Sequence, residues 1–224
     1  MAELSKKIAK VKSEPRVPRA GRPTTALITC ETATEAALTL IDRNGLEALS
    51  VQSVAQVLGV SAPSLYYHFR NKEELLAQIA RALLVEVGHE KEHWSSDWDE
   101  RMIELSLATR RVMMRHPNAA PLALRFFPRQ VMLQAYENAM VDCPYPVEAR
   151  MVVNELIEHV TYGASFFAAA AEAHHIPAMP SIDPERFPNL ALAMETGPQD
   201  AETRFVEGLR TLLAGLRARY GGQT

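Results

Sequence analysis

The stretch LSVQSVAQVLGVSAPSLYYHFRNKEELL, Leu49 to Leu76, decides how the chain is read. Ser50 stands before an apolar-periodic run, and its hydroxyl is placed to accept the backbone N–H of Ser53, so a helix is expected to begin at Val51. Val54, Ala55 and Leu58 recur at one-turn spacing and form its buried face. Ala55 is small, which suits the close approach of two helices crossing at about 90–120°. Gly59 can take a positive φ and ends the first helix abruptly. Val60 then drops into the core, Ser61 is placed to cap a second helix, and Pro63 falls in its first turn, where a missing N–H costs little. Leu65 and Phe69 anchor that helix inward and leave Ser64, Tyr67 and His68 facing out.

Asn71 is expected to cap a third, longer helix, with Glu74 completing a capping box and Leu75, Leu76 and Ile79 forming an apolar seam. Its N-terminus offers free N–H groups to a phosphate. Upstream, Thr29 to Asn44 reads as a helix with Ala33, Ala37, Leu40 and Ile41 on one face; Gly45 closes it, and Leu46 and Leu49 plug the core. The result is a helix-turn-helix head of three helices with one supporting helix.

The outward residues suit DNA. Gln52 can pair in bidentate fashion with adenine, and Ala62 or Pro63 can lie against a thymine methyl. Ser64, Tyr66, His68 and Lys72 can reach phosphate oxygens, which position a protein without reading sequence. Any one of them alone is equally a plain solvated residue; the set on one face is what points to DNA.

Ala37, Gly45, Leu49, Ala55, Leu58, Gly59, Val60, Leu65, Tyr66, His68, Phe69, Lys72, Glu74 and Leu75 follow one another at the spacing of a known domain, ending in Tyr-x-His-Phe-x-x-Lys. On these residues the chain resembles the N-terminal domain of the TetR family of one-component transcriptional regulators. The resemblance implies DNA contacts from Gln52, Ala62, Pro63, Ser64, Tyr66, Tyr67, His68 and Lys72.

Residues 1–28 carry seven Lys or Arg against Glu3 and Glu14 and show no apolar periodicity, so they are expected to form a flexible basic arm. They lack the apolar core of an export signal. Arg19-Ala20-Gly21-Arg22-Pro23 is similar to the arginine-glycine-arginine-proline cores that enter narrow minor grooves, which makes Arg22 a candidate DNA contact. A solubilising tail is the other reading of the arm. The net charge of −3 hides a segregation: the first 80 residues hold 10 Lys or Arg against 8 Asp or Glu, the remainder 14 against 19. Two cysteines, Cys30 and Cys143, suggest no disulfide framework, and no apolar run approaches the ~20 residues of a membrane span, so a cytoplasmic protein with no membrane contact is expected.

Residues 29–75 are thus assigned to the DNA-binding head and 76–224 to a larger all-α domain for effector binding and dimerisation. Helices are expected near 98–116, 118–125, 129–141, 146–174, 184–194 and 200–219, punctuated by prolines, with a proline-rich connection from Ile176 to Asp200. Two stripes fit either a core or a partner: Val152, Val153, Leu156, Val160 and Ala164 with small residues Gly163, Ala168 and Ala169, and Phe205, Leu209, Leu212, Leu213 and Leu216. The family resemblance favours a homodimer joined by a four-helix interface. Such a dimer matches a palindromic operator in double-stranded DNA with half-sites about 34–36 Å apart.

Arg110-Arg111, Pro128, His159-x-Thr161-x-Gly163-Ala164 and Phe205-x-x-Gly208-Leu209 make the C-terminal domain similar to the tetracycline repressor type. In that type a histidine and a glutamate help hold a metal–drug complex; the matching positions here are Ala123 and Phe167, which cannot bind a cation, so no metal and no cofactor are expected. What remains for an effector is apolar and aromatic: Leu105, Thr109, Met113, Phe126 and Phe127. Tyr136, Tyr162, Phe166 and Phe167 complete the set, with His159 as a polar contact. The same residues also read as plain core.

His89-Glu90-Lys91-Glu92-His93 matches the H-E-x-x-H pattern of zinc hydrolases, which needs both imidazoles on one face of a rigid helix. The charged Lys91 and Glu92, the weakening Gly88 and the lack of a third ligand all weigh against it. His174-His175 is expected on the surface, pointing to different helix faces. The sequence therefore reads as a non-enzymatic DNA-binding regulator, a repressor released from its operator by a small apolar or aromatic effector. The alternatives are a ligand-independent DNA-binding regulator and a zinc hydrolase.

Overall fold

The computed structural model describes residues 28–177 and 179–221. Residues 1–27 of the basic arm, Arg22 included, lie outside the described residues. Ten α-helices follow one another among them: α1 (Cys30–Asn44), α2 (Val51–Leu58), α3 (Ala62–Leu65), α4 (Lys72–His89), α5 (Trp98–Arg115), α6 (Ala120–Arg125), α7 (Arg129–Val141), α8 (Val147–Ala173), α9 (Pro188–Thr196) and α10 (Ala201–Tyr220), with a 3₁₀ turn at Leu46–Ala48 after α1.

Local chemistry sets the head. Ser50 and Ser53 cap α2 reciprocally, the Ser53 N–H reaching the Ser50 hydroxyl at 3.0 Å and the Ser50 N–H reaching the Ser53 hydroxyl at 2.8 Å. Gly59, at φ 66°, reverses the chain: its N–H donates to the Gln56 carbonyl and that of Val60 to the Ala55 carbonyl. Two expected caps take another form. Ser61 does not cap α3; its hydroxyl lies 2.8 Å from that of Ser64. Asn71 does cap α4 through the Glu74 N–H, but the Glu74 carboxylate turns back to the N–H of Arg70, one residue before the cap.

The second helix of the motif is shorter than expected. It stops at Leu65, and the N–H groups of His68 and Phe69 both converge on the Leu65 carbonyl in a closing turn. Three consecutive bulky residues, Tyr66, Tyr67 and His68, are exposed on that turn with nothing packed above them to continue the helix. Leu65 and Phe69 still point inward.

One apolar core runs from the head into the body. Ile41, Leu49, Leu65 and Phe69 meet Leu75 and Ile79 of α4, and Leu83 carries the contact on to Val112 and Met113 of α5 and Leu122 of α6. The expected domain boundary at 75/76 therefore falls in the first turn of α4, with core on both sides. A second core joins Trp98, Met102 and Ile103 of α5 to Val153 and Ile157 of α8 and to Phe205, Leu209, Leu213 and Leu216 of α10. The Trp98 indole N–H donates to the Ala139 carbonyl at 2.8 Å and its ring meets Tyr145 edge to face, which pins the end of α7.

The stripe expected at a partner interface on α10 is thus largely spent within the chain, while that on α8 is buried only in part. Val153 and Ala169 of α8 and Phe205, Leu209, Leu213 and Leu216 of α10 are buried in the protomer. What faces out is Val147, Met151, Val152 and Phe167 on α8, and Gly208 and Gly215 on α10. The helix expected at 184–194 begins later, at Pro188, because residues 183–187 form a turn in which Asp183 takes the Glu185 N–H. The helix expected at 118–125 likewise begins at Ala120, after a turn in which the Ala119 and Ala120 N–H groups donate to the His116 carbonyl.

Candidate DNA-reading surface and effector cavity

The sequence-derived DNA residues fall on α2, on α3 and the turn after it, and on the first residue of α4. Tyr67 is 90% exposed and Tyr66 48%, and Gln52, Pro63, His68 and Lys72 are exposed; Ala62 and Ser64 are half-buried at the start of α3. Beneath them Leu65 and Phe69 are 1% and 3% exposed, so the turn bearing the two tyrosines is rooted in core. An aromatic ring left almost wholly in water has no packing reason to be there. Its hydroxyl, the Lys72 ammonium and the N–H groups at the start of α4 are of the types that meet phosphate oxygens.

The body holds a cavity of about 240 Å³ between four helices. Leu84, Val87 and Gly88 of α4 form one wall, Met102, Leu105, Ser106 and Thr109 of α5 the next, Met132, Ala135, Tyr136 and Ala139 of α7 the third. Asn154, Ile157, Glu158, Thr161 and Tyr162 of α8 close it. A second cavity of about 470 Å³ shares Tyr136, Glu158 and Tyr162 and adds Ala123, Leu124, Phe127, His159, Gly163 and Phe166.

Of the residues proposed for an effector, Leu105, Thr109, Tyr136 and Tyr162 line the inner cavity. Phe127, His159 and Phe166 line the outer one. Three lie elsewhere. Met113 is fully buried in the core that joins head and body, and Phe126 packs against that same core under the Arg125 guanidinium. Phe167 is 84% exposed, one residue on from Phe166 and therefore turned about 100° away along the helix.

Asn154, Glu158 and Thr161 escaped the effector set read from the sequence, which held Tyr162 of the same face. Asn154, Glu158, Thr161 and Tyr162 recur at helical spacing on the α8 face opposite the apolar stripe, and that periodicity is the signal that identifies them. The Tyr136 hydroxyl donates to Glu158 Oε2 at 3.2 Å. Burial pushes the Glu158 carboxyl above its ordinary range, with the Tyr136 hydrogen bond opposing that rise. Burial and the neighbouring Glu158 push the Tyr136 phenol up to about 12, and burial raises the Tyr162 phenol as well.

The H-E-x-x-H pattern does not form a helical ligand pair. α4 ends at His89, Glu90 is its C-cap, and residues 91–93 lie beyond the helix. The Glu90 carboxylate is taken by Arg115. Among the described residues no group of three His, Cys, Asp or Glu side chains is arranged to hold a metal ion. His174 and His175 are exposed as expected but follow the end of α8 rather than lying on it; His175 takes a positive φ of 53°.

His116, by contrast, has a structural place. Its Nδ1 lies 2.7 Å from Asp42 Oδ2 of α1, and its Nε2 3.3 Å from Glu86 Oε2 of α4. Arg115 reaches the same Glu86 at 2.8 Å. The end of α5 is thereby joined to the head and to the helix that carries it.

Comparison with known proteins agrees with both halves of this geometry. Residues 33–79 match the N-terminal model of the bacterial regulatory proteins of the tetR family, and residues 92–220 the tetracyclin repressor-like C-terminal domain. The class E tetracycline repressor protein of Escherichia coli is 30% identical over 196 residues, spanning 82% of this chain and 88% of that protein. The Streptomyces coelicolor TetR family protein ActR, solved in complex with actinorhodin, is 27% identical with a TM-score of 0.65 over 88% of this chain and 99% of its own. The transcriptional regulator SCO7222 of the same organism shares the fold at 21% identity, with a TM-score of 0.68 over 85% of this chain and 98% of its own. With a DNA-reading head and a helical body that both match along their length, the chain belongs to the TetR family of DNA-binding transcriptional regulators.

Proposed function

We propose that the protein is a homodimeric repressor that binds a palindromic operator and is released by a small apolar or aromatic effector held between α4, α5, α7 and α8. The observation that carries this reading is the double role of α4. Its first residue, the exposed Lys72, is a candidate phosphate contact, while Leu84, Val87 and Gly88 near its other end line the cavity. An occupant that displaces the cavity end of a rigid helix must move its head end too. The His116–Asp42 and His116–Glu86 contacts give α5 a second hold on the head.

Release requires only that the ligand favour the conformation with the wrong head spacing; a 100-fold differential affinity corresponds to about 2.7 kcal/mol. The cavity walls are mostly apolar with a few polar groups, which is the composition of small-molecule sites. The complex of the similar protein ActR with actinorhodin, named above, supports ligand binding by this fold.

The outward face of α8 and α10 supports dimerisation. Val147, Met151, Val152 and Phe167 are exposed there, and a Cβ added at Gly163, Gly208 or Gly215 meets nothing within 4 Å in the protomer. Small residues of this kind let helices of a second copy approach closely. Among the described residues no helix is long and apolar enough to cross a membrane.

The test is selection of duplexes from a random pool, followed by a thermal-shift screen of hydrophobic compounds and a binding assay on the selected DNA. Inverted half-sites released by compounds that raise the melting temperature are expected. Selected DNA that no stabilising compound releases points to a ligand-independent regulator.

A further inference from the structure

Glu158 stands where the two cavities share walls, and it is the only carboxylate among the residues lining either of them. Tyr162 stacks with Phe166 at 5.8 Å between ring centroids, and Phe127 meets Tyr162 edge to face at 6.1 Å. The Tyr136 hydroxyl is the one side-chain donor to the carboxylate among the described residues. The lining residues of α4 and α5 contribute no ionisable group; α7 contributes Tyr136, and α8 itself Glu155, His159 and Tyr162. Among the described residues no Lys, Arg or His side chain forms an ion pair with Glu158, and the neighbouring His159 is exposed.

An independent observation concerns the neighbouring turns of α8. Asn154 is 7% exposed and Thr161 5%, both line the inner cavity, and neither Asn154 Nδ2 nor Thr161 Oγ1 has a hydrogen-bond partner. Buried polar groups are rarely left unsatisfied, and those that are call for an explanation such as a bound molecule. Here two of them flank a carboxylate that lacks a cationic partner.

We propose that this cavity takes a lipophilic amine, protonated at neutral pH, whose ammonium group binds Glu158 beside Tyr136 and Tyr162. The proposal rests on the reading of the cavity as the effector site and narrows its ligand class. The apolar body fills the space against Leu105, Met102 and Ile157, and an acceptor oxygen takes the Asn154 donor. Asn154 lies one helical turn from Glu158, so that oxygen sits about 6 Å along the helix axis from the nitrogen. A cation gains twice at this place: from a charge-assisted hydrogen bond to the carboxylate and from the electron-rich faces of the aromatic rings. A carboxylate or phosphate ligand meets repulsion there instead.

The test compares N,N-dimethyl-2-naphthylmethylamine with its uncharged isostere 2-isobutylnaphthalene, by equilibrium dialysis against the full chain near neutral pH. The wild-type protein is expected to bind the amine on the order of tenfold more tightly or better. Glu158→Gln is expected to erase that preference while leaving the hydrocarbon's affinity unchanged. Glu155→Gln, which removes the same charge from the exposed side of α8, is expected to keep it. Equal binding of the two compounds by the wild type, binding of neither, or a preference that survives Glu158→Gln overturns the proposal; the wild-type comparison holds whether or not a variant folds. Release of the selected duplex is scored separately. Preferential amine binding without release supports the ammonium site and removes the effector reading. Release by the hydrocarbon as effective as by the amine keeps that reading and removes the ammonium site.

Discussion

His116 Nδ1 lies 2.7 Å from Asp42 Oδ2, which ties the end of cavity helix α5 directly to the first helix of the DNA-reading head. Both side chains are largely buried, His116 at 16% and Asp42 at 27% exposure, so the pair is not a loose surface contact. His116→Ala is expected to cost about 1–3 kcal/mol in urea unfolding, the penalty of leaving a partly buried carboxylate without its partner. Asp42→Ala added to it is expected to cost less than the sum of the single changes. If the pair also transmits the effector signal, His116→Ala binds effector normally but needs more of it to release DNA.

At the DNA face the residues divide by role. Lys72→Ala is expected to weaken binding to all duplexes alike and to reduce the salt-dependence slope by about 1, since one phosphate contact is lost. Gln52→Ala is expected to relax preference at one base position in each half-site, read by comparing selected pools; an unchanged pool removes Gln52 from the readers.

The outward glycines make a prediction about assembly. A Cβ added at the exposed Gly208 meets nothing within 4 Å in the protomer, so Gly208→Leu is expected to preserve the helical content. In a close helix–helix interface the same side chain collides with the second copy. Sedimentation is expected to show a shift from dimer toward monomer, and operator affinity should fall with it because two linked heads become two independent ones.

Glu158 also leaves a mark on pH dependence. Burial raises its folded-state proton affinity above the ordinary value of 4.5, so the native protein holds this proton more tightly than the unfolded chain. The associated stability is fully present below pH 4.5 and is lost as pH rises through the raised folded value. Glu158→Gln is therefore expected to be more stable than wild type at pH 7, with the difference shrinking below pH 4.5. Thermal melts across that range decide it; a Gln variant less stable at neutral pH contradicts the sign.

The head was legible from sequence because its signals are local. Ser50, Gly59 and Asn71 determine where chain segments start, turn and stop within a few residues, and the structure places a cap or a positive φ at each. Where a residue had two partners of similar worth the reading failed. Ser61 found the Ser64 hydroxyl instead of a backbone N–H, and Glu74 found the Arg70 N–H instead of that of Asn71. The body was harder because a stripe such as Phe205–Leu216 fits a core and a partner equally well, and only the packing of α10 on α5 and α8 decides between them. Phe166 and Phe167 show the same limit at single-residue scale: adjacent and alike in composition, one lines a cavity and the other faces out. Glu158 went unnoticed because a lone carboxylate on a helix is usually solvated, and its aromatic surroundings come from residues distant in sequence.

The most direct measurement is a hydroxyl-radical footprint of the full chain on its selected duplex, with wild type and Tyr67→Ala side by side. Two protected patches on one face of the duplex, centred about 34–36 Å apart and both weakened by Tyr67→Ala, are the predicted result. A single patch, or a pair left unchanged when Tyr67 is truncated, contradicts a head that enters successive grooves through the turn after Leu65.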